Sequence, residues 1–182
     1  MRWAAAALGL GLVVLAAGPS HAEFRLLNVG IRGGADGPNV FGGDEKESFQ
    51  QYDIFATAAL PWTWYARSGW DVAPRLMATA GALIGAGEAG FVGSIVPLVA
   101  VGRRDSPLAL DVGLGAAVLT RHKFGVQNFG GAFQLVATFG VRVPVYRGLG
   151  VGYRMQHLSD AKIYGEGTGA DLHMLELSWT FR

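Results

Sequence analysis

The chain has 182 residues, of which 51% are hydrophobic and 16% are charged, with a formal net charge of +1. It contains 28 glycines, about twice the share of an ordinary globular protein, and no cysteine. These values exclude a disordered chain, a disulfide framework, a thiol nucleophile and a cysteine-ligated zinc site. The near-neutral charge gives no indication of a nucleic-acid partner.

The first 22 residues predict a secretory signal peptide. Arg2 precedes an apolar run over residues 4–17, and Ser20-His21-Ala22 provides small residues at the −3 and −1 positions of a cleavage site. The alternative is a membrane-anchor helix, but the run is shorter than the roughly 20 residues that a span needs. We therefore expect a signal peptide over residues 1–22 and one exported domain over residues 23–182.

Eight later segments alternate between apolar side chains and small or polar ones, which is the period of a β-strand. Their length suits a tilted strand that crosses a membrane better than the roughly five or six residues of a soluble sheet. In chain order, the predicted strands lie near residues 24–33, 49–61, 74–85, 90–102, 107–119, 131–143, 146–159 and 170–181.

The two faces of each predicted strand differ in polarity. In the second strand, Tyr52 and Ile54 share an apolar face opposite Gln51 and Asp53. We expect the apolar faces to contact lipid and the small or polar faces to line the lumen, with Asp53, Asp111 and Arg142 in an ion-pair network. The interior of an eight-stranded barrel is filled by side chains, so no pore is implied.

The connections complete the predicted topology. Residues 34–48, 120–130 and 160–169 are expected to be outer loops, and Arg103–Ser106 and Pro144–Val145 periplasmic turns. Trp62, Trp64, Tyr65 and Trp70 are typical of an interfacial aromatic girdle. The fold predicted is all-β, an eight-stranded antiparallel up-and-down transmembrane β-barrel. A secreted soluble barrel or sandwich is the alternative, but the strands carry too few charges to favour it.

Two reactive side chains lie on the outward face of the seventh predicted strand. The alternation that turns Tyr153 and Met155 toward lipid also turns His157 and Ser159 outward. Residues two apart on one strand are separated by about 6.5 to 7 Å, so an imidazole can reach the serine hydroxyl and act as its general base. The spacing alone is equally compatible with a non-catalytic polar pair at the membrane interface.

The run from Arg154 to Phe181 resembles the C-terminal region of the outer-membrane lipid A 3-O-deacylases, the PagL-type acyl hydrolases. In that family a strand ends in His-x-Ser-Asn-Ala, a loop follows, and an acidic residue opens the last strand. The resemblance implies that Ser159 is the nucleophile, His157 the general base and Asp171 the acidic member of a triad.

Two positions depart from the family pattern. The family usually has Glu where this chain has Asp171, and Asn where it has Asp160. The second departure makes backbone N–H groups the expected donors to an oxyanion.

Three acidic residues lie near the His-x-Ser pair, and their positions distinguish them. Asp160 has the opposite strand parity to His157, and Glu166 lies between two glycines. Asp171 has outward parity, and a suitable hairpin register places its Cβ about 5 Å from that of His157. We also expect outward-facing His173 to contact a headgroup and His122 to lie in a solvated loop.

The resemblance implies a serine esterase of the outer membrane that removes the 3-O-linked acyl chain of lipid A. It implies a membrane-embedded protein whose partner is lipopolysaccharide in the outer leaflet, with no metal or cofactor. A non-enzymatic structural or adhesion barrel and a lipid A acyltransferase are the alternatives. The sequence leaves acyl-chain preference and oligomeric state open.

Overall fold

The computed structural model describes residues 24–38, 40, 45–61, 64–65, 69–103, 106–165 and 168–181. The predicted signal peptide and Glu166 lie outside these ranges. Eight long strands follow one another, and we refer to them as the first to the eighth. They are Arg25–Asp36, Phe49–Ala59, Trp70–Gly85, Glu88–Arg103, Ala109–Leu119, Phe133–Tyr146, Leu149–Ser159 and Gly169–Thr180. Each coincides over most of its length with one predicted segment.

The sheet closes on itself. Every long strand pairs antiparallel with the next one in the chain. The first strand also pairs with the eighth, from Asn28 opposite Thr180 to Asp36 opposite Leu172. Closure removes the free edges that an open sheet would present, and it confirms the predicted eight-stranded up-and-down barrel.

The connections between the strands lie at two ends of the barrel. The loop end carries the first loop (residues 37–48), the third loop (residues 120–132) and the fourth loop (residues 160–168). At the opposite end, which we call the turn end, the strands are connected by residues 60–69, 104–108 and 147–148. The remaining connection at the loop end is only residues 86–87. Within the described residues, no helix is both long and apolar enough to cross a membrane.

Large apolar side chains cover the outside of the barrel. In the second strand, Ile54 is exposed while Gln51 and Asp53 are buried, as the alternation predicts. Contiguous apolar surface of this kind is unfavourable in water and suits contact with lipid. The outward side chains that are more than half exposed include Ile31, Tyr52, Ile54, Ile95, Val112, Leu114, Val118 and Leu175.

One predicted turn is wrong. The sixth strand continues through Pro144 and Val145 to Tyr146, and the chain reverses at Arg147 and Gly148. These two residues have φ values of +40° and +95°. A two-residue hairpin of this type needs left-handed backbone at both central positions, which glycine adopts freely and proline cannot adopt.

Buried charges fill part of the lumen. Arg154 donates from Nε to Glu176 Oε1 at 2.5 Å and from Nη1 to Asp111 Oδ1 at 2.8 Å. Arg32 forms a second buried pair with Asp53, and Arg142 lies 3.8 Å from Glu176. The predicted lumen network of Asp53, Asp111 and Arg142 is therefore present. Glu176 links Arg142 to Arg154 and so to Asp111, and Arg32, whose Nη1 lies 3.9 Å from Glu176 Oε1, adds Asp53.

The loop end of the lumen is apolar, contrary to the expectation of a wholly small and polar interior. Phe124 and Phe129 of the third loop are fully buried and pack with Phe49, at ring-centroid distances of 5.4 to 6.3 Å. The predicted outer loop thus folds into the mouth of the barrel. Its aromatic side chains pack in the same cluster as Leu158 and Leu172, the inward neighbours of the candidate site.

We expect Arg154→Met to lower the free energy of unfolding by about 3–5 kcal/mol, because it leaves the buried carboxylate of Asp111 without its ion-pair partner and removes the cation hydrogen-bonded to Glu176. Urea unfolding in lipid vesicles measures this value. Arg121→Ala is the matched control. It breaks the exposed pair with Glu88, whose side chains are 45% and 41% exposed, and should cost under about 1 kcal/mol. Equal effects of the two substitutions would contradict a stabilising lumen network.

Candidate active site

Strand register brings two predicted site residues together. The seventh and eighth strands are antiparallel neighbours, with His157 directly opposite Asp171 and Ser159 directly opposite Gly169. Because side chains alternate between faces, both cross-strand pairs lie on the outside of the barrel. They are the last two outward-facing pairs before the fourth loop, so the site lies at the loop end.

The histidine and the aspartate are hydrogen-bonded. His157 Nδ1 lies 2.5 Å from Asp171 Oδ1, and the side chains are 16% and 1% exposed. A carboxylate on Nδ1 favours the tautomer with the proton on that nitrogen, which leaves Nε2 to accept a proton. The pair therefore has the polarity of a general base and its orienting acid.

Gly169 provides the space that the imidazole occupies. A Cβ atom at this position would lie 2.9 Å from His157 Cε1 and 3.3 Å from Nε2. The imidazole of His157 thus extends along the barrel surface toward the neighbouring pair of Ser159 and Gly169. Gln127 of the third loop donates to the carbonyl of Gly169 at 3.3 Å and supports this part of the strand.

Ser159 ends the seventh strand beside a strained turn. Its Oγ accepts the N–H of Ala161 at 3.0 Å. Ala161 and Lys162 have φ values of +47° and +66°, which are uncommon for residues with a Cβ and often accompany functional sites. Asp160 is fully buried and accepts the Lys162 N–H at 3.0 Å, so its carboxylate shapes the turn that follows the serine.

The first loop contributes to the site, which the sequence did not reveal. The N–H of Val40 donates to Asp171 Oδ2 at 2.5 Å, and the N–H of Gly37 donates to the Asp171 carbonyl at 3.3 Å. This contact explains how a side chain on the outward face is almost fully buried. Backbone donors carry no residue-type signal, so no motif could have indicated them.

Among the described residues, no group of three or more histidine, aspartate or glutamate side chains is arranged to hold a metal ion.

A family model described as lipid A 3-O-deacylase (PagL) matches residues 50–180. This chain belongs to the PagL family. The match includes Ser159, His157 and Asp171, whereas Gly37 and Val40 precede it. Membership and the closed barrel place the protein in the outer membrane, and they support a lipid A deacylase activity.

Solved structures share the fold. A crystal structure of the outer membrane enzyme PagL aligns with a TM-score of 0.70 and 19% identity, covering 85% of this chain and 99% of that one. The backbone structure of the Yersinia pestis outer membrane protein Ail in a phospholipid bilayer nanodisc aligns with a TM-score of 0.44 and 14% identity, over 85% and 99% of the two chains. The comparison with curated proteins finds no match.

A further carboxyl group lies near the acid of this PagL-family site. Glu45 is half-buried in the first loop, and its Oε1 is buried without a hydrogen bond from the described residues. Burial, with the negative charges of Asp36 and Asp171 as smaller causes, raises the pKa of Glu45 from 4.5 to about 7. Glu45 is therefore largely protonated in the folded protein at mildly acidic pH.

We expect Glu45→Gln to stabilise this PagL-family barrel at high pH only. Because the pKa of Glu45 is higher in the folded state, its contribution is fully present below pH 4.5 and is lost as pH rises through about 7. The Tm of the variant should equal that of the wild type at low pH and exceed it above neutrality, as measured by heat-modifiable migration. A Tm difference that does not change with pH would contradict this assignment.

Proposed function

We propose that the protein is a serine esterase that hydrolyses the acyl chain esterified to the 3-position of lipid A. The observation that carries the proposal is the hydrogen-bonded pair of His157 and Asp171 on the lipid-facing side of the barrel. Ser159 lies two residues from His157 on the same strand and the same face. Family membership supports the substrate class. The position at the loop end supports a site at the membrane interface, where the ester bonds of a glycolipid lie.

In the proposed reaction, Ser159 Oγ attacks the ester carbonyl while His157 Nε2 removes its proton. Asp171 holds the imidazole through Nδ1 and stabilises the imidazolium that forms. The tetrahedral intermediate collapses, the bond to the sugar oxygen breaks, and His157 returns the proton to that oxygen. A water molecule, deprotonated by the same imidazole, then hydrolyses the acyl-enzyme to release the fatty acid and free Ser159.

The negative oxygen of the tetrahedral intermediate needs a hydrogen-bond donor. The Ala161 N–H lies 3.0 Å from Ser159 Oγ, next to the position where the carbonyl carbon would be attacked. Asp160 supplies no side-chain N–H, unlike the asparagine usual in the family. We therefore assign the oxyanion contact to backbone N–H groups of the left-handed turn, with Ala161 as the first candidate.

The outward direction of the site suits a substrate that stays in the membrane. The acyl chains remain in the lipid phase beside the apolar barrel wall, and only the ester region has to reach Ser159. Burial of Asp171 under the first loop keeps water away from the carboxylate, which strengthens its interaction with the imidazole.

The first functional prediction is that Ser159→Ala and His157→Ala abolish release of the 3-linked fatty acid. Each substitution removes a group that takes part in bond making or proton transfer, and neither side chain fills the lumen. Mass spectrometry of lipid A from cells with and without each variant measures the release, and heat-modifiable migration verifies the fold. Undiminished release by either variant would disprove the serine mechanism, and acyl groups found on an acceptor lipid would identify a transferase.

A second prediction concerns the acid. Asp171→Ala should lower the deacylation rate at least about a hundredfold, because the imidazole loses its orienting carboxylate. Asp171→Glu should retain substantial activity, since it keeps a carboxylate at this position. Glu166→Gln should be close to wild type in the same assay. A large loss for Glu166→Gln together with a mild effect of Asp171→Ala would show that Glu166 is the acid.

A further inference from the structure

Two polar side chains form a hydrogen-bonded pair on the outside of the barrel, below the candidate triad. Tyr153 Oη lies 2.5 Å from His173 Nδ1, and His173 Nε2 lies 3.2 Å from the carbonyl oxygen of Pro38. His173 is the next outward residue after Asp171 on the eighth strand. We call Tyr153 and His173 the loop anchor, because they connect the barrel wall to the first loop.

We propose that the loop anchor positions the catalytic acid. By fixing Pro38, it holds the Val40 N–H on Asp171 and so sets the orientation of the carboxylate toward His157. This inference rests on the proposed function. It treats Tyr153 and His173 as positioning residues, since neither contacts the reacting atoms.

The two hydrogen-bond partners of His173 determine which ring nitrogen donates and which accepts. A carbonyl oxygen can only accept, so the proton of His173 is on Nε2, and Nδ1 accepts from the Tyr153 hydroxyl. Both ring nitrogens are thus bonded to the protein. This differs from the sequence-based expectation that His173 contacts a headgroup.

Close packing reinforces the same contact. A Cβ atom at Gly37 would lie 2.3 Å from His173 Cδ2, so the absence of a side chain lets the loop backbone pack on the imidazole. The Gly37 N–H donates to the Asp171 carbonyl. The segment held by His173 is therefore the segment that covers Asp171.

The geometry of Asp171 explains how the contact with the first loop affects the reaction. Oδ1 is bonded to His157 and Oδ2 to the Val40 N–H, so two contacts on opposite oxygens fix the rotation of the carboxylate. Loss of the loop contact frees that rotation and exposes the acid to water. The imidazole then spends less time in the orientation that accepts the serine proton.

The test compares Tyr153→Phe and His173→Leu with His173→Gln, which retains an N–H donor for Pro38. Leucine suits this outward position, since the surrounding face is apolar. The first two variants should lower kcat by about tenfold to a hundredfold with little change in KM, because they affect transition-state orientation and not substrate binding. His173→Gln should recover most of the rate. Amide exchange of Val40 should accelerate in His173→Leu.

Double variants with Asp171→Ala decide whether the anchor acts through the acid. If it does, His173→Leu lowers the residual rate of Asp171→Ala no further. A loss that multiplies in the double variant, a raised KM with unchanged kcat, or wild-type kcat in His173→Leu would overturn the proposal. Tyr52→Phe is the matched control, because its hydroxyl bonds only to exposed Gln50 in the same strand among the contacts described, and it should leave the rate unchanged.

The two proposals fail in distinguishable ways. An active Ser159→Ala variant would remove the serine mechanism whatever the anchor variants do. An inactive Ser159→Ala variant beside fully active anchor variants would remove only the positioning role of Tyr153 and His173.

Discussion

Pairing between the first and the eighth strands is the constraint on which the rest of the structure depends. It closes the sheet, and it also places the end of the first strand beside Asp171. The chain that leaves this strand therefore passes directly over the eighth strand, where Gly37 and Val40 contact the acid. An open sheet with the same seventh and eighth strands would pair His157 with Asp171 but would leave the carboxylate uncovered.

Lipid outside the barrel reverses the usual distribution of polar groups. The charged side chains of Arg32, Arg154 and Glu176 lie in the lumen, where each has an oppositely charged partner. Polar groups on the outer face are costly unless they lie near the interface or are hydrogen-bonded. The outward polar pairs at the loop end satisfy the second condition, since His157 is hydrogen-bonded to Asp171 and Tyr153 to His173. This concentration of paired polar groups distinguishes the site from the surrounding apolar wall.

The strands and the His157–Asp171 pair follow from local rules, which explains why the sequence predicts them. Alternation assigns each side chain to a face, and the short connection between two adjacent antiparallel strands limits their register. The parity of Leu175 and Leu177 is enough to turn Asp171 outward. The proposed catalytic roles depend on the resemblance to the family's His-x-Ser motif and not on alternation.

The features that could not be predicted from the sequence depend on contacts between distant residues or on backbone geometry. Val40 and Asp171 are 131 positions apart and interact through a main-chain N–H, which any residue except proline provides. Phe124 and Phe129 lie in a segment with the composition of an exposed loop, and only the finished barrel provides the cavity that buries them. The sequence predicts this turn at Pro144–Val145, where proline suits many turns, but a turn of this type requires positive φ and therefore forms at Arg147 and Gly148.

The contact between the first loop and Asp171 also bears on why an aspartate is sufficient here. Direct register places Asp171 opposite His157, so a short side chain reaches Nδ1 at 2.5 Å. A short side chain keeps its second oxygen close to the backbone of its own strand, and there the Val40 N–H meets it. A longer glutamate would carry both oxygens farther from the strand, and a small shift of the loop would restore the same bond. Aspartate, the covering loop and the Tyr153–His173 anchor therefore form one mutually dependent arrangement, in which the length of the acid is matched to the position of a backbone donor.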